Sequence, residues 1–310
     1  MHVLVTGGAG FIGAHSCRVL LEARHRVTAL DDLSHGTREA LPAGADLLVV
    51  DVRAPDLGTL IERLRPDAVL HLAAQMDVRR SVADPMHDAS VNVLGTVNVL
   101  AAAKRAGARR FVFASSGGAV YGEQEIFPAP EEHTRQPASP YGVSKLCGEE
   151  YVELARREGL SSMSLRYANV YGPGQDPLGE AGVVAIFLHK MLHGGEPVIN
   201  GDGEQTRDFV YVEDVARANL LALTSPASGA LNIGTGQETS VNELASLLAR
   251  AAGYGKPIGH GPAAAGEQRR SCVDPRAALA SLAWEPQVPL HEGLLRTAEW
   301  FRQRSPPNSA

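Results

Sequence analysis

The sequence predicts an α/β fold, a doubly wound parallel sheet of the Rossmann type with a smaller, interleaved C-terminal lobe. Apolar strand segments alternate with helical segments through the first half of the 310-residue chain, which implies a parallel sheet covered on both faces. Right-handed crossovers then wind the chain in both directions from the first strand. After residue 168 the strand segments become shorter, and this change predicts a second, lid-like lobe.

The first strand is predicted at His2–Thr6, an apolar run with β-branched residues, and a helix follows over residues 12–24. We expect further strands at residues 26–30, 47–50, 68–72, 111–115, 162–166, 197–199, 209–212 and 231–233. The helical pattern predicts helices at about residues 57–65, 89–106, 142–158, 182–193, 213–224, 240–252, 275–282 and 290–303. The first domain is predicted as residues 1–168 plus about 205–232, and the second lobe as about 169–204 plus 233–303. Residues 304–310 are expected to form a disordered tail.

The composition excludes several classes of protein. A formal net charge of −6 gives no basic surface for nucleic acid. The longest apolar stretches are interrupted by charged residues, so we expect no membrane span, and a first strand at residue 2 leaves no room for a signal peptide. Cys17, Cys147 and Cys272 are far apart in the sequence and form no metal-like cluster. They are typical of reduced thiols in a cytoplasmic protein.

Three glycines form the first candidate site. Gly7, Gly10 and Gly13 lie between the first strand and the first helix, which is the context that a dinucleotide fingerprint requires. The first permits a tight turn, the second lets the backbone approach a pyrophosphate, and the third lets the helix pack closely on the strand. The helix N-terminus offers free N–H groups to the phosphates. An ordinary glycine-rich turn is the alternative, which the flanking strand and helix disfavour.

Asp31 ends the second predicted strand, 18 residues after Gly13. An acidic side chain near this spacing accepts hydrogen bonds from the adenosine ribose, and its charge repels a 2′-phosphate. NAD is therefore favoured over NADP, although Arg38 leaves NADP use open and Asp31 could also be a strand-end turn residue. Other residues that end parallel strands should collect at the same edge of the sheet: Gly7, Asp51, Val52, Leu72, Ala73, Ala74, Ser115 and Ser116.

Tyr141 and Lys145 are the candidate catalytic pair. They are four residues apart at the start of a predicted helix, so they share one helix face. We expect the lysine ammonium and a positive nicotinamide ring to favour the phenolate, which would make Tyr141 a base near neutral pH. Ser116 would hydrogen-bond the substrate hydroxyl that Tyr141 deprotonates. Each of these features alone also fits a surface tyrosine with an unrelated lysine, or a turn-forming serine.

Eight segments make the chain resemble the extended short-chain dehydrogenase/reductases that act on nucleotide sugars, over nearly its full length. They are Val5–Gly13, Leu30–Ser34, His71–Gln75, Val91–Thr96, Val120–Gly122, Pro140–Lys145, Arg166–Pro173 and Arg207–Val212. Within that family the chain most resembles the NAD-dependent UDP-sugar 4-epimerases. The resemblance implies that Ser116, Tyr141 and Lys145 are catalytic, that the first domain binds NAD, and that the second lobe binds a UDP-sugar.

The glycine turn and the resemblance together imply an NAD site. We expect it to contain Gly7, Gly10, Phe11, Ile12, Gly13, Asp31, Asp32, Leu33, Ser34, Gly36, Asp51, Val52, Leu72, Ala73, Ala74, Gln75, Asn92, Ser115, Tyr141, Lys145, Tyr167, Asn169 and Val170.

The resemblance also implies a UDP-sugar site. Its expected residues are Ser116, Gly117, Tyr141, Asn169, Val183, Val198, Ile199, Asn200, Arg207, Ser271 and Asp274. Arg207 and Asn169 would hold the diphosphate, and a guanidinium forks well onto phosphate oxygens. Many relatives have a further arginine just before the pair Gly266–Glu267, where this chain has alanines at 263–265. Arg269 or Arg270 could compensate for it.

The implied reaction is reversible C4 epimerisation of a UDP-hexose, UDP-glucose or UDP-galactose, through a transient 4-keto sugar. Related dehydratases and decarboxylases carry acidic residues after the catalytic hydroxyl, whereas this chain has Gly117, Gly118 and Ala119, which cannot transfer protons. The small Ser271 would leave room for N-acetyl sugars. A UDP-glucuronate 4-epimerase, another NAD-dependent nucleotide-sugar enzyme and a non-catalytic NAD-sensing regulator remain alternatives. By resemblance, helices at 89–106 and 142–158 would form a homodimer.

Overall fold

Seven parallel strands form the central sheet of the computed structural model, which describes residues 1–177, 182–264 and 268–304. They are β1 (His2–Thr6), β2 (Arg26–Asp31), β3 (Asp46–Val49), β4 (Ala68–His71), β5 (Arg110–Ser116), β6 (Ser161–Tyr167) and β11 (Gly229–Ile233). Their order across the sheet is β3-β2-β1-β4-β5-β6-β11. The chain therefore winds outward from β1 in both directions, and the fold class predicted from the sequence is confirmed.

Helices connect these strands and continue into the second half of the chain. They are α1 (Phe11–Glu22), α2 (Leu57–Leu64), α3 (Val78–Ala83), α4 (Pro85–Ala89), α5 (Gly95–Arg105), α6 (Gly117–Val120), α7 (Pro140–Arg157), α8 (Val183–Leu192), α9 (Val212–Thr224), α10 (Val241–Ala252), α11 (Arg276–Leu282) and α12 (Leu290–Arg304). A short 3₁₀ turn covers Arg38–Ala40.

The alternation of side chains along β1 shows how both faces of the sheet are covered. Val3 and Val5 belong to one buried cluster, which includes residues of α1 and α9. Leu4 belongs to another, which includes residues of α2 and α5. Successive strand residues point to opposite faces, so an unbroken apolar strand requires helices on each side.

The predicted helix at 89–106 is confirmed as a helical region, but it begins earlier and consists of three consecutive segments. Helix α4 begins at Pro85, and the Asp84 side chain caps it by accepting the backbone N–H of His87. A π-helical turn follows at Ser90–Leu94, before α5 begins. Turns of this kind widen a helix locally and are frequent at functional sites.

Short strands and a separate hydrophobic cluster characterise the second half. β7 (Asn169–Tyr171) pairs with β10 (Phe209–Tyr211), and β8 (Val198–Asn200) pairs with β13 (Gly259–Gly261). β9 (Thr206–Arg207) lies between β12 (Thr239–Ser240) and β14 (Arg270–Ser271). A hydrophobic cluster joins α8, α10 and α12.

The last described residue of the chain belongs to helix α12. Arg304 is still helical, and residues 305–310 of the expected tail lie outside the described residues. Among the described residues, no helix combines the length and apolar character needed to cross a membrane. The same residues contain no group of three or more His, Cys, Asp or Glu side chains placed to hold a metal ion.

Candidate active site

A cleft of about 330 Å³ opens at the carboxyl ends of the central strands, a size within the usual range for ligand sites. It is lined by most of the residues that the sequence assigned to the NAD site: Gly7, Gly10, Phe11, Ile12, Gly13, Asp31, Asp32, Ser34, Gly36, Asp51, Val52, Leu72, Ala73, Ala74, Gln75, Ser115, Tyr141, Lys145 and Tyr167. Four other predicted residues are not on this lining: Leu33, Asn92, Asn169 and Val170.

The lining also contains residues that the sequence analysis missed. They are Leu30, His35, Val50, Arg53, Met76, Arg80, His87, Val91 and Ala114. Leu30, Val50 and Ala114 lie at or next to strand ends, so the strand-end rule could have found them. Arg80, His87 and Val91 come from α3, α4 and the π-helical turn, whose position beside the cleft has no local signal in the sequence.

The glycine turn has the geometry of a backbone cradle. Gly7 has a φ of +67°, a left-handed conformation that favours glycine, and a Cβ there would lie 2.7 Å from the Ala73 nitrogen. A Cβ on Gly13 would lie 2.0 Å from the Gly7 carbonyl oxygen. Gly10 is more open, since its nearest neighbour would be 3.3 Å away. The first and third glycines are therefore required by the fold, while the second leaves room for a ligand.

Asp31 joins the turn to the end of β2. Its carboxylate accepts the backbone N–H groups of Ala9 and Leu33, both at 2.9 Å. Burial raises the pKa of Asp31, and these two hydrogen bonds oppose that shift. Because a carboxylate has about four acceptor positions, Asp31 can still accept a ribose hydroxyl. The turn and Asp31 together fit a dinucleotide.

Asn92 lies one layer behind the cleft rather than on its surface. Its side chain accepts the backbone N–H of Gln75 at 2.9 Å and donates to the Gln75 carbonyl oxygen at 2.7 Å. The residue is 2% exposed. Asn92 therefore fixes the strand-end segment that lines the cleft, and its direct contact with a cofactor stays a prediction.

Tyr141 and Lys145 line this cleft, and Ser116 lies next to Tyr141 without being part of the lining. The Ser116 hydroxyl is close enough to the Tyr141 phenol to lower its pKa. The Lys145 ammonium donates to the Ala114 carbonyl oxygen at 2.9 Å, and its nitrogen lies 5.8 Å from the centre of the Tyr141 ring. The structure thus brings the three predicted catalytic residues together, between the end of β5 and the first turns of α7.

The electrostatics of this group differ from the expectation that Lys145 makes the phenol acidic. Burial raises the pKa of Tyr141 to about 12, and the hydrogen bond with Ser116 lowers it by less than burial raises it. Burial also lowers the pKa of Lys145 to about 8. Because both groups lose hydration, the protein alone favours a neutral phenol, and the expected phenolate needs the positive charge of a bound nicotinamide.

Local sequence explains why α7 lies so close to β5. The Ser139 hydroxyl caps the helix by accepting the Gly142 N–H at 3.2 Å, and Pro140 occupies the first turn. A Cβ on Gly142 would lie 2.6 Å from a backbone oxygen of α6, and one on Gly148 would lie 2.5 Å from the Phe113 ring. These two glycines allow the close approach that places Tyr141 beside Ser116.

Two predicted substrate residues meet in the small three-stranded sheet. Arg207 on β9 is paired in register with Ser271 on β14. Ser271 is 3% exposed, and its hydroxyl oxygen lies 3.4 Å from the position that a Cβ on Gly118 would take. Gly118 follows Ser116 and Gly117 in the chain, so β14 reaches the catalytic end of β5.

The remaining predicted substrate residues lie at several places in the second half of the chain. Val183 packs at the start of α8 against the hydrophobic cluster of α8, α10 and α12, and Asn169 is exposed at the start of β7. Ile199 is buried between the exposed residues Val198 and Asn200 on β8. The structure does not place these residues on the dinucleotide cleft, and their contacts with a substrate stay predictions.

Three acidic or basic residues near β14 are already engaged within the protein. The carboxylate of Asp274 accepts the backbone N–H and the guanidinium of Arg276. Arg269 pairs with Asp202, and Arg270 pairs with Glu238 while its guanidinium lies 3.6 Å from the centre of the Phe127 ring. Both arginines are therefore paired within the protein, and the compensation for the absent arginine stays a prediction. The Gly266–Glu267 pair lies outside the described residues.

Comparison with known proteins agrees with this geometry. Residues 3–234 match the model of the NAD dependent epimerase/dehydratase family. The chain is 46% identical to the putative UDP-glucose 4-epimerase of Methanocaldococcus jannaschii, over 98% of this chain and 99% of the relative. The crystal structure of UDP-glucose 4-epimerase from Thermotoga maritima with UDP-glucose is 47% identical, with a TM-score of 0.94 over 98% of this chain and 99% of the other.

A second crystal structure includes the cofactor. It is the UDP-glucose 4-epimerase of Thermus thermophilus in complex with NAD, 42% identical to this chain, with a TM-score of 0.92 over 98% of this chain and 100% of the other. These matches confirm the family resemblance drawn from the sequence motifs. The glycine cradle, the strand-end cleft and the full-length similarity show that the chain belongs to the NAD dependent epimerase/dehydratase family.

Proposed function

We infer that this chain catalyses the reversible C4 epimerisation of a UDP-hexose, with NAD recycled in the site. The observation that carries this proposal is the Ser116–Tyr141–Lys145 group at the end of a dinucleotide cleft. Relatives named UDP-glucose 4-epimerase cover this chain almost completely, at 45% identity or above. This similarity over both lobes supports the same reaction here.

Different residues of the cleft would bind different parts of NAD. The turn from Gly7 to Gly13 would hold the pyrophosphate, Asp31 the adenosine ribose, and Lys145 the nicotinamide ribose. When bound, NAD supplies the acceptor and the donor of a hydride. Everything else in the reaction is left to side chains that orient the sugar or move its proton.

Tyr141 is the proposed acid and base of the reaction. Its phenol oxygen takes the proton of the sugar 4-hydroxyl as a 4-keto sugar forms, and returns it after the sugar has presented its other face. Ser116 would hydrogen-bond the same hydroxyl and hold it against Tyr141. Arg207 and Asn169 would bind the diphosphate, while Val198–Asn200 would contact the uracil. We propose that these residues belong to a substrate lobe of about 169–204 plus 233–303, beside an NAD domain of residues 1–168 plus about 205–232.

The segment after Ser116 favours epimerisation over the dehydratase or decarboxylase alternatives. In the structure Gly117 packs against Val273, and Gly118 packs against Ser271. Neither glycine has a side chain that could remove or deliver a second proton. We also propose, from the small size of the Ser271 side chain, that the site accepts a C2 N-acetyl group, so that UDP-GlcNAc and UDP-GalNAc are substrates as well.

Replacement of Tyr141 by Phe tests the proposed reaction. We expect Tyr141→Phe to lower kcat by at least about 100-fold, because a positioned acid or base contributes that much or more. Bound NAD should remain, since the cradle is intact. Tyr151→Phe is the matched control, since Tyr151 is 40% exposed ten residues further along the same helix. Both variants would be assayed with a panel of UDP-sugars, with the product sugars resolved by chromatography.

Two outcomes would contradict the proposal. Near-normal turnover by Tyr141→Phe would remove the proton-transfer role from this residue. A wild-type protein that binds NAD but shows no NADH absorbance on addition of any UDP-sugar would instead be a non-catalytic NAD-sensing regulator.

We also propose that the chain forms a homodimer in the cytoplasm. Exposed apolar residues lie on α3, α4, the π-helical turn and α7, which pack side by side. They are Val82, Met86, Leu94, Val143, Tyr151 and Leu154. Exposed apolar residues on neighbouring helices favour burial against a second copy of the same surface. The three cysteines are free, which supports a reducing compartment.

A further inference from the structure

Asp88 is a fully buried carboxylate that the proposed mechanism does not use. It lies in α4 and is 0% exposed. Gln75 and Asn92 each donate a side-chain N–H to its Oδ1 at 2.9 Å, and the Ser144 hydroxyl donates to its Oδ2 at 2.6 Å. A buried carboxylate is costly unless donors surround it, and here three side chains from three segments do so.

The three donors connect parts of the site that are distant in the sequence. Gln75 lines the dinucleotide cleft, and Asn92 also fixes its backbone on both sides. Ser144 is on α7, three residues after Tyr141 and directly before Lys145, so it shares their helix face. Asp88 accepts a hydrogen bond from all three of these side chains.

We propose that Asp88 is a positioning residue of the site: its carboxylate ties the Tyr141–Lys145 face of α7, through Ser144, to the cleft wall at Gln75. The effect of this role on the turnover rate rests on the proposed epimerase function. Asp88 acts through its neighbours and not by contact with the reacting atoms.

The charge of Asp88 also reaches the catalytic pair. It raises the pKa of Tyr141 and raises that of Lys145, in each case by less than burial shifts the value. The other ionisable groups on α4 and on the parts of α3 and α7 packed against it are Arg79, Arg80, Asp84, His87, Tyr141, Lys145 and Glu149. Both arginines are exposed to solvent. Tyr141 and Lys145 are the two catalytic groups whose pKa values would respond to a change at Asp88.

Replacement of Asp88 by Asn separates positioning from a merely structural role. We expect Asp88→Asn to lower the limiting kcat by about ten-fold or more, because small displacements of catalytic groups have effects of this size. KM for the UDP-sugar should change by less than about two-fold, because Asp88 does not touch the sugar. Loss of the negative charge lowers the pKa of Tyr141, so the rising limb of the kcat–pH profile should move to lower pH by roughly half a unit.

Two further variants distinguish the hydrogen bond from the charge. Ser144→Ala removes the link to α7 but keeps the carboxylate, so kcat should fall while the pH profile stays in place. Asp84→Asn is the matched control on the same helix: Asn is also a good N-cap residue, and Asp84 is exposed. It should leave both kcat and the pH profile unchanged. A Ser144→Ala enzyme with wild-type kcat, or an Asp88→Asn enzyme with an unmoved profile, would overturn the proposal.

A titration without turnover tests the same arrangement independently of the reaction. The ultraviolet difference titration of each NAD-loaded variant, minus that of the same variant carrying Tyr141→Phe, reports the ionisation of Tyr141 alone. It should shift to lower pH in Asp88→Asn and remain unchanged in Ser144→Ala and Asp84→Asn. If the wild type turned over no UDP-sugar, the proposed function would fail, while an unshifted titration in Asp88→Asn would refute the role of Asp88.

Discussion

At the scale of single residues, Tyr141 shows how burial and charge compete. Burial of the phenol holds its pKa at about 12, well above neutral pH. Lys145 does not offset this effect of burial on the phenol, and its own pKa is lowered to about 8. A chain without cofactor therefore has little phenolate, and the base would form only when a cationic ring arrives next to it.

Gly13 has the tightest surroundings of the cradle. We expect Gly13→Ala to lower the free energy of unfolding by about 3 kcal/mol and to release NAD, because its Cβ would lie 2.0 Å from a backbone oxygen that cannot move independently. Denaturant titration and the NAD content of the purified protein would measure the two effects. Gly255→Ala is the control, since no atom lies within 4 Å of its Cβ position. Equal stability of the two variants would contradict the packing argument.

Ser271 carries the prediction on substrate range. Ser271→Tyr should abolish turnover of UDP-GlcNAc and UDP-GalNAc but keep that of UDP-glucose and UDP-galactose, because the larger ring fills the space beside Gly118. The product sugars of all four reactions would be measured, with Ser271→Ala as the control that preserves the space. A wild type that uses the glucose pair and shows no N-acetyl turnover would count against this assignment.

At the scale of elements, α7 is held at several points along one face. Lys145 donates to β5, Ser144 donates to Asp88, and Glu149 accepts the Ser115 hydroxyl at 2.5 Å. Glu149 also forms a two-point hydrogen-bonded pair with Arg166 on β6, at 2.9 and 2.8 Å. This helix is thus joined to two adjacent strands and to α4, which fixes the angle from which Tyr141 enters the cleft.

Breaking the Glu149 pair should reduce stability more than breaking an exposed pair on the same helix. We expect Glu149→Gln to lower the free energy of unfolding by about 3 kcal/mol, because Arg166 would keep its buried charge without a counter-ion. Glu153→Gln is the control: its pairs with Arg156 and Arg157 are largely exposed, and such pairs contribute little. Urea titrations that gave equal losses for the two variants would refute the buried-pair argument.

The elements also show how far the sequence alone could be interpreted. The glycine turn and α7 were predictable because a strand, a turn and a helix follow one another with the required spacing. The π-helical turn was not predictable, because the contacts of this region are long-range: Asn92 bonds to Gln75, 17 residues earlier. The two-residue strands β9, β12 and β14 form only by long-range pairing, and their lengths give no periodic signal.

The candidate active site was also only partly predictable from the sequence. Residues at strand ends were found because parallel strands share one edge, and this rule located part of the cleft. Other lining residues were found from the glycine turn, the Tyr141–Lys145 pair or the family resemblance. Asp88 was missed because it lies just before the predicted helix at 89–106, where an aspartate normally faces solvent. Its burial depends on three partners contributed by different segments.

At the scale of the whole molecule, the apolar face of α7 and its neighbours determines the proposed assembly. Leu154→Arg should convert the dimer to a monomer, because a charge buried in an apolar interface is desolvated without a partner. Analytical ultracentrifugation would measure the mass. Leu295→Arg is the control, as Leu295 is similarly exposed, at 54% against 49%, but lies on α12. A wild type that sediments as a monomer would exclude the dimer, and a Leu154→Arg variant that stays dimeric would place the interface elsewhere.

The late position of β11 in the chain affects how this protein can be made. Its residues leave the ribosome only after about three quarters of the chain has been synthesised, yet they cover the open edge of β6. Until then, the nascent sheet presents an unpaired backbone edge that can join with another such edge. The part of the chain that ends with β6 is therefore not expected to fold as an independent domain. Truncated proteins that lack β11 should aggregate.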